Sequence, residues 1–190
     1  MIIRIASVAV GVIALTVGTV ALADTILLTP IADGIASDDR PFDGRADRLF
    51  EAFGNRVSFL PGEADQRAVI HFDINSVKGL RVLKATLKLV ISHKELSQST
   101  IFPIEVRGYN SAGVLKHSDF HEGAFVTVFD GVATPFGTVA INVTERVKRG
   151  LISPSGFIGF TLRTNMKGTV TFSALEDGAV VHPKLVVVTE

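Results

Sequence analysis

The chain has 190 residues, no cysteine, and equal numbers of basic and acidic side chains, 19 of each. Without cysteine it has no disulfides and no thiol nucleophile. The balanced charge gives no net field that would attract nucleic acid or an anionic surface.

The first 23 residues are predicted to be a secretory signal peptide. One basic residue, Arg4, precedes an uncharged run over residues 5–23 that ends in an Ala-Leu-Ala tripeptide. Small residues before a cleavage site are typical of such leaders. The alternative is an uncleaved membrane anchor, since a run of about 19 residues just suffices to span a bilayer. We expect cleavage, no membrane span afterwards, a single domain over residues 24–190, and a secreted, periplasmic or cell-surface location.

Short strand-like segments follow the leader, with glycine and proline in the turns between them. Alternation of apolar and polar residues is typical of strands with one buried face. The predicted strands cover 25–29, 56–60, 67–74, 82–92, 102–109, 125–129, 138–143, 156–164, 168–174 and 184–189. Residues 30–55 lack this alternation and are predicted to form a long polar loop with one short helix at 46–53.

The clearest alternation lies in residues 67–92, which predict two strands joined by a polar turn. One face of the pair is apolar, while the other carries His71, Lys84 and Lys88 and is expected to be exposed to solvent. The predicted inward positions are Ala68, Ile70, Phe72, Ile74, Leu83, Ala85, Leu87, Leu89 and Ile91.

One segment, residues 144–150, departs from the strand pattern. It begins with Thr144, a capping residue, has a charged middle, and ends at Gly150, which together favour a short helical turn. Many short strands with one helical turn predict an all-β fold, a jelly-roll-like antiparallel β-sandwich whose one end the turn closes.

Three blocks, residues 67–89, 141–160 and 172–187, together resemble the DNRLRE-type domain, a secreted β-sandwich related to carbohydrate-binding modules. The blocks are the paired strands, an Ile-Asn-Val-Thr segment leading into the helical turn and the next strand, and a closing Pro-led strand. The resemblance implies a noncatalytic module. It therefore favours binding of extracellular polysaccharide or cell-surface glycan, without enzymatic activity.

Two kinds of side chain are candidates for such binding. Tyr109 is the only tyrosine and the chain has no tryptophan, so it is the one aromatic ring with a polar group for stacking on a sugar. Lys84 and Lys88 share a strand face and suit an acidic polysaccharide. The few such aromatic rings favour a rival function, a structural or interaction protein of a surface layer, fibre or extracellular matrix, which would self-assemble or bind a protein partner.

Two groups of residues are candidate metal sites, and ordinary polar loops are the alternative for each. Asp33 after the first strand and Glu176 with Asp177 before the last could supply carboxylates to a structural calcium ion. His117 and His121 could hold a divalent metal only if their segment were helical. In both cases a solvated loop is the preferred interpretation, so no cofactor beyond this calcium alternative is predicted.

Overall fold

A computed structural model describes residues 23–39, 43–51, 55–61, 63–96, 101–177 and 181–190, so the predicted leader lies outside them except for Ala23. The described residues form twelve strands, all paired antiparallel, one α-helix and three short 3-10 turns. The elements are β1 (Asp24–Leu28), β2 (Pro30–Asp39), β3 (Arg48–Glu51), β4 (Asn55–Leu60), β5 (Ala64–Asp73), β6 (Val82–Leu96), β7 (Pro103–Asn110), β8 (Ala124–Asp130), β9 (Gly137–Asn142), α1 (Thr144–Ile152), β10 (Phe157–Arg163), β11 (Gly168–Phe172) and β12 (Lys184–Thr189), with 3-10 turns at Asn75–Val77, His117–Phe120 and Leu175–Asp177. The predicted all-β class is confirmed.

The strands form one curled, half-barrel sheet whose two halves enclose the core. One half is β1-β12-β6-β9, and the other contains β2, β5, β10, β7 and β8, with β3 paired to β2. The long strand β6 pairs with β12 over its first part and with β11 over its last part. Because β11 also pairs with β4, which pairs with β5, these strands connect the two halves.

The core is built from the inward faces of both halves. Ile70 and Phe72 of β5 and Leu87 and Leu89 of β6 are fully buried and belong to one cluster, as their alternation predicts. Leu83 is an exception, since it was predicted to face inward and is exposed. The pairing of β6 with β12 shifts there, so that Leu83 has no position in the ladder and the alternation restarts beyond it.

The second face of β5 is buried as well. Val69 and His71 lie on it. Tyr109 of β7 and Phe120 of the segment 111–123 cover this face. The prediction that His71 is exposed to solvent is therefore wrong, because a loop distant in sequence folds over that face.

Residues 30–55 contain two strands, β2 and β3, where a loop and a helix were predicted. β2 pairs with β5 along its whole length and β3 pairs with β2, so residues 48–51 are extended and not helical. A Cβ at Gly34 would lie 2.4 Å from the Phe50 carbonyl oxygen, so this close pairing requires glycine. Residues 52–53 of the predicted helix lie outside the described residues.

The predicted helical turn is confirmed as α1, which continues two residues past Gly150 and has Val143, not Thr144, at its N-cap. It packs at one end of the sheet against β6, β7 and β10. Within α1, Val147 is fully buried and Gly150 lies against Ile74 and Ile158. The Ala85 backbone N–H of β6 donates to Thr144 Oγ1 at 2.9 Å, which fixes the start of the helix on the sheet. The first turns of α1 form one wall of a surface groove.

Candidate functional site

A groove of about 600 Å³ lies beside α1, between the two halves of the sheet. β6 contributes Leu83 and Lys84 to it, and β8 contributes Phe125. The first turns of α1 and the end of β9 form the remaining wall. The groove therefore collects residues from four elements that are far apart in sequence.

The groove carries an excess of positive charge. Among the described residues that line it are four cations, Lys84, Arg146, Lys148 and Arg149, and one carboxylate, that of Glu145. Lys148 Nζ lies 3.1 Å from Glu145 Oε1, so this carboxylate offsets one of the four. Three cations are left without a carboxylate among the described residues that line the groove.

Arg146 is held in place by the neighbouring strand β7. Its Cγ and Cδ cross Gly108 so closely that a Cβ there would lie 2.6 Å from Cγ, and one guanidinium N–H donates to Asn110 Oδ1. Its Nε is buried, with no hydrogen-bond partner in the described part of the chain. Burial, with Arg149 nearby, lowers the pKa of the Arg146 guanidinium. Arginine nonetheless stays charged at neutral pH.

The start of α1 adds a further positive contribution. Val143 precedes the helix and supplies no side-chain cap, while the Thr144 N–H donates to Asn142 Oδ1 at 3.1 Å. Backbone N–H groups in the first turn of a helix carry partial positive charge. The groove wall at residues 142–146 is therefore an electropositive surface.

The predicted ligand residues Lys84 and Lys88 are exposed on the outer face of β6. Lys84 lines the groove, and Lys88 lies four residues along the strand, about 13 Å away at the rise of a β-strand. Lys184 on β12 is directly opposite Lys88. The outer face of β6 and β12 thus continues the basic surface beyond the groove.

Tyr109, the third predicted ligand residue, is not brought together with these lysines. It is only 5% exposed and does not line the groove. Its hydroxyl lies 2.7 Å from His71 Nε2, and its ring rests directly on Gly159. Burial, together with the Asp119 carboxylate, raises the pKa of Tyr109. A ring enclosed in this way has no free face on which a sugar could stack.

Phe125 is the exposed aromatic residue at the groove, and sequence reasoning missed it. It is 62% exposed on β8, a strand that was predicted correctly. The pairing of β7 with β8 shifts at Val126, which turns Phe125 outward onto the same face as Val128. A register shift of this kind leaves no signal in the alternation of the sequence.

A second groove, of about 560 Å³, lies on the other side of Phe125. Its charges are largely paired: Arg67 lies 2.7 Å from Asp65, and Arg163 lies 2.9 Å from Glu105. Against the opposing effect of burial, hydrogen bonds from Arg163 and Arg107 hold the pKa of Glu105 below its usual value. Because its charges are largely neutralised in place, this groove is the weaker candidate for a charged ligand.

The predicted calcium ligands are partly occupied by backbone and amide donors. Asp33 is buried, and its Oδ2 accepts hydrogen bonds from Asn55 Nδ2 at 2.8 Å and from the Leu175 N–H at 2.9 Å. Asp177 Oδ2 accepts one from the Ala174 N–H at 2.8 Å. The Glu176 side chain lies outside the described part. No group of three metal-ligating side chains forms within the residues described, and the calcium ion stays a prediction.

The His117 and His121 segment is a 3-10 turn followed by a loop, not the helix that a two-histidine site would need. His117 Nδ1 lies 2.7 Å from the Ala46 carbonyl oxygen, and the His121 ring packs edge-on against Phe120. The His117 contact therefore links this turn to the segment between β2 and β3, while the His121 ring packs within its own segment.

The sequence matched no protein-family model, and no curated protein was significantly similar to it. The resemblance to the DNRLRE-type domain therefore stays a prediction. Among the described residues, no helix is long and apolar enough to cross a membrane.

Proposed function

We propose that the protein is a noncatalytic secreted module that binds extracellular polysaccharide or cell-surface glycan in the groove beside α1. The observation that carries this proposal is the combination of an exposed aromatic ring, Phe125, with cations and an amide in one concave site. Sugars present an apolar C–H face and a rim of hydroxyls, so they need both kinds of contact. Concave sites with a few convergent polar groups are typical of ligand binding.

The outer face of β6 supports a polymer in preference to a single sugar. Lys84 lies in the groove and Lys88 lies about 13 Å further along the strand. A single sugar does not reach both, whereas a chain leaving the groove along β6 meets Lys88. This extension supports an oligosaccharide segment as the ligand.

Binding without hydrolysis fits the groove better than catalysis. Most glycosidases use two carboxylates on either side of the scissile bond. Glu145 is the only carboxylate among the described residues that line the groove, and it is paired with Lys148. We therefore propose no reaction at this site.

Binding of the purified protein to a panel of polysaccharides tests the proposal. The double variant Lys84→Glu with Lys88→Glu should weaken binding by about tenfold or more, because it reverses two contacts with charge-assisted character. Lys116→Glu with Lys167→Glu is the control, since both lysines are exposed and neither lines the groove. Absence of binding to every glycan, or an equal loss in the two double variants, would overturn the proposal.

A rival function, a structural or interaction protein, is favoured by one observation. The strand β8 pairs only with β7 in the described part of the chain, and it exposes Phe125 and Val128, which is 51% exposed. An apolar strand at a sheet edge is a template for pairing with another chain. A structural function of this kind is tested by whether the protein associates with itself in solution.

A further inference from the structure

Arg146 has no counter-ion among the described residues that line the groove beside α1. None of the ion pairs among the described residues includes it, and its one side-chain hydrogen bond goes to the neutral amide of Asn110. Half-buried charges are normally paired, because taking an unpaired charge out of water costs free energy. The groove therefore holds a charge that an anion would stabilise.

The position of Arg146 is set in advance by the strand beneath it. Gly108 leaves room for the side chain to cross β7, and Asn110 holds one end of the guanidinium. A side chain restrained before binding loses little conformational entropy when a ligand arrives. Arg146 is thus placed as a preorganised donor and not as a freely moving surface arginine.

Two neighbours reinforce the preference for an anion. The first turn of α1, which Val143 leaves without a side-chain cap, lines the same groove as Lys84. A helix N-terminus beside cationic side chains is a favourable environment for an oxyanion. Arg149, one helical turn away, lines the groove and adds a second positive charge that belongs to none of the ion pairs among the described residues.

We propose that this groove selects polyanionic glycans, and that a carboxylate or sulfate group of the polymer binds at Arg146 beside the first turn of α1. The inference rests on the proposed function and names the class of glycan. A glycan is favoured over an anionic lipid surface because the cations lie inside a concave groove, where a chain fits and a flat bilayer does not. Arginine also suits carboxylate and sulfate through its planar fork of N–H donors.

Matched pairs of charged and neutral polymers test the selectivity. Polygalacturonate is compared with its methyl ester, and dextran sulfate with dextran, by titration calorimetry on the purified protein. We expect at least about tenfold tighter binding to the charged member of a pair, corresponding to one charge-assisted contact. The affinity for that member should fall as salt concentration rises, since the attraction is screened.

Variants assign the effect to Arg146. Arg146→Gln should remove most of the preference for the charged polymer, and Arg146→Lys should retain part of it, because the charge stays while the fork is lost. Gly108→Ala keeps the guanidinium but displaces it, and should also weaken the preference. Arg45→Gln, at an exposed site outside the groove, is the matched control and should change nothing. Circular dichroism of each variant checks that it is folded.

The outcomes separate this inference from the proposed function. Equal binding to charged and neutral polymers would overturn the polyanion preference and leave the glycan proposal standing. A preference that persists in a folded Arg146→Gln variant would overturn the assignment to Arg146. Absence of binding to all four polymers would overturn both, and binding only to phosphatidylglycerol vesicles would replace the glycan by a lipid surface.

Discussion

At the scale of single residues, His71 and the polar side chains that it contacts form a buried network. His71 is fully buried, its Nε2 lies 2.7 Å from the Tyr109 hydroxyl and 3.4 Å from Asp119 Oδ2, and Thr161 donates to the Asp119 carbonyl oxygen at 3.0 Å. These contacts attach the segment 111–123 to the outer face of β5 and β10. His71 Nδ1 is buried without a hydrogen-bond partner among the described residues, so the contacts through Nε2 and Asp119 are the ones that favour one arrangement of the loop.

The ionisation of Tyr109 should be coupled to unfolding. Burial and the nearby Asp119 carboxylate raise the pKa of Tyr109 in the folded protein. Because the unfolded value is about 10, the neutral phenol contributes stability that is complete below that pH and is lost as the pH rises further. The protein should therefore unfold in alkali as the tyrosine ionises.

This coupling is directly measurable because Tyr109 is the only tyrosine and the chain has no tryptophan. Tyrosinate absorbance and circular dichroism are followed together in an alkaline titration. We expect both to change in one transition, above the pH at which the denaturant-unfolded chain titrates. Tyrosinate that appears near pH 10 while the circular dichroism stays native would contradict the prediction.

Sequence reasoning failed at His71 for a physical reason. Alternation in residues 67–74 correctly assigned one face of β5 to the core, but it cannot report what covers the opposite face. That cover comes from Phe120 and its loop, about fifty residues further along the chain, where Phe120 contacts Arg67 and Asp119 contacts His71. Contacts between such distant residues are invisible to a local pattern.

At the scale of elements, the strand β6 alternates between buried and exposed side chains. Its buried side chains are the ones expected to contribute to the free energy of unfolding. Leu87 points into the core and is fully buried, while its neighbour Lys88 is exposed on the outer face. Leu87→Ala should lower the free energy of unfolding by about 2–5 kcal/mol through lost burial and a residual cavity.

Urea unfolding of the Leu87→Ala and Lys88→Ala variants compares the loss of unfolding free energy at an inward and an outward position of the same strand. Lys88→Ala is the control and should change the free energy of unfolding by no more than about 0.5 kcal/mol, as an exposed position allows. Similar losses in the two variants would mean that the inward and outward faces of β6 are assigned wrongly.

The strands that were missed, β2 and β3, show which elements local patterns do not predict. β2 is buried on both faces over most of its length and is built from small and acidic residues, so apolar and polar positions do not alternate. Ser37 and Asp38 are buried there, with Asp38 Oδ2 accepting the Gly44 N–H at 2.9 Å. The polar composition that predicted a loop belongs to a strand whose polar groups bond to neighbouring loops.

The candidate site was predictable only in part, for a similar reason. Lys84 could be assigned to an exposed strand face from alternation, and it lines the groove. Arg146 and Phe125 could not be found, because their positions depend on how the Arg146 side chain crosses Gly108 and on the register shift in β8. The residues with the strongest case for function are those placed by contacts between distant elements.

At the scale of the whole molecule, the balanced composition conceals an uneven distribution of charge. Basic and acidic residues are equal in number, yet the described residues that line the groove beside α1 include four cations and one carboxylate. On the other side of Phe125, arginines and carboxylates neutralise one another in ion pairs. Net charge therefore bounds long-range attraction but says nothing about a local anion site.

The behaviour of the whole molecule also distinguishes a binding module from an assembling structural protein. In the second case Phe125 and Val128 would be contacts between copies of the chain. Pairing through the edge of β8 requires a straight strand, but the register of β7 with β8 shifts between Val106 and Arg107. A bulge bends an edge strand and discourages pairing with another chain.

Light scattering should therefore give a molar mass that does not rise with protein concentration, and Val128→Lys should leave it unchanged. Growth with concentration that Val128→Lys abolishes would instead assign β8 to self-assembly, and Phe125 would then be an interface residue and not the wall of a glycan groove.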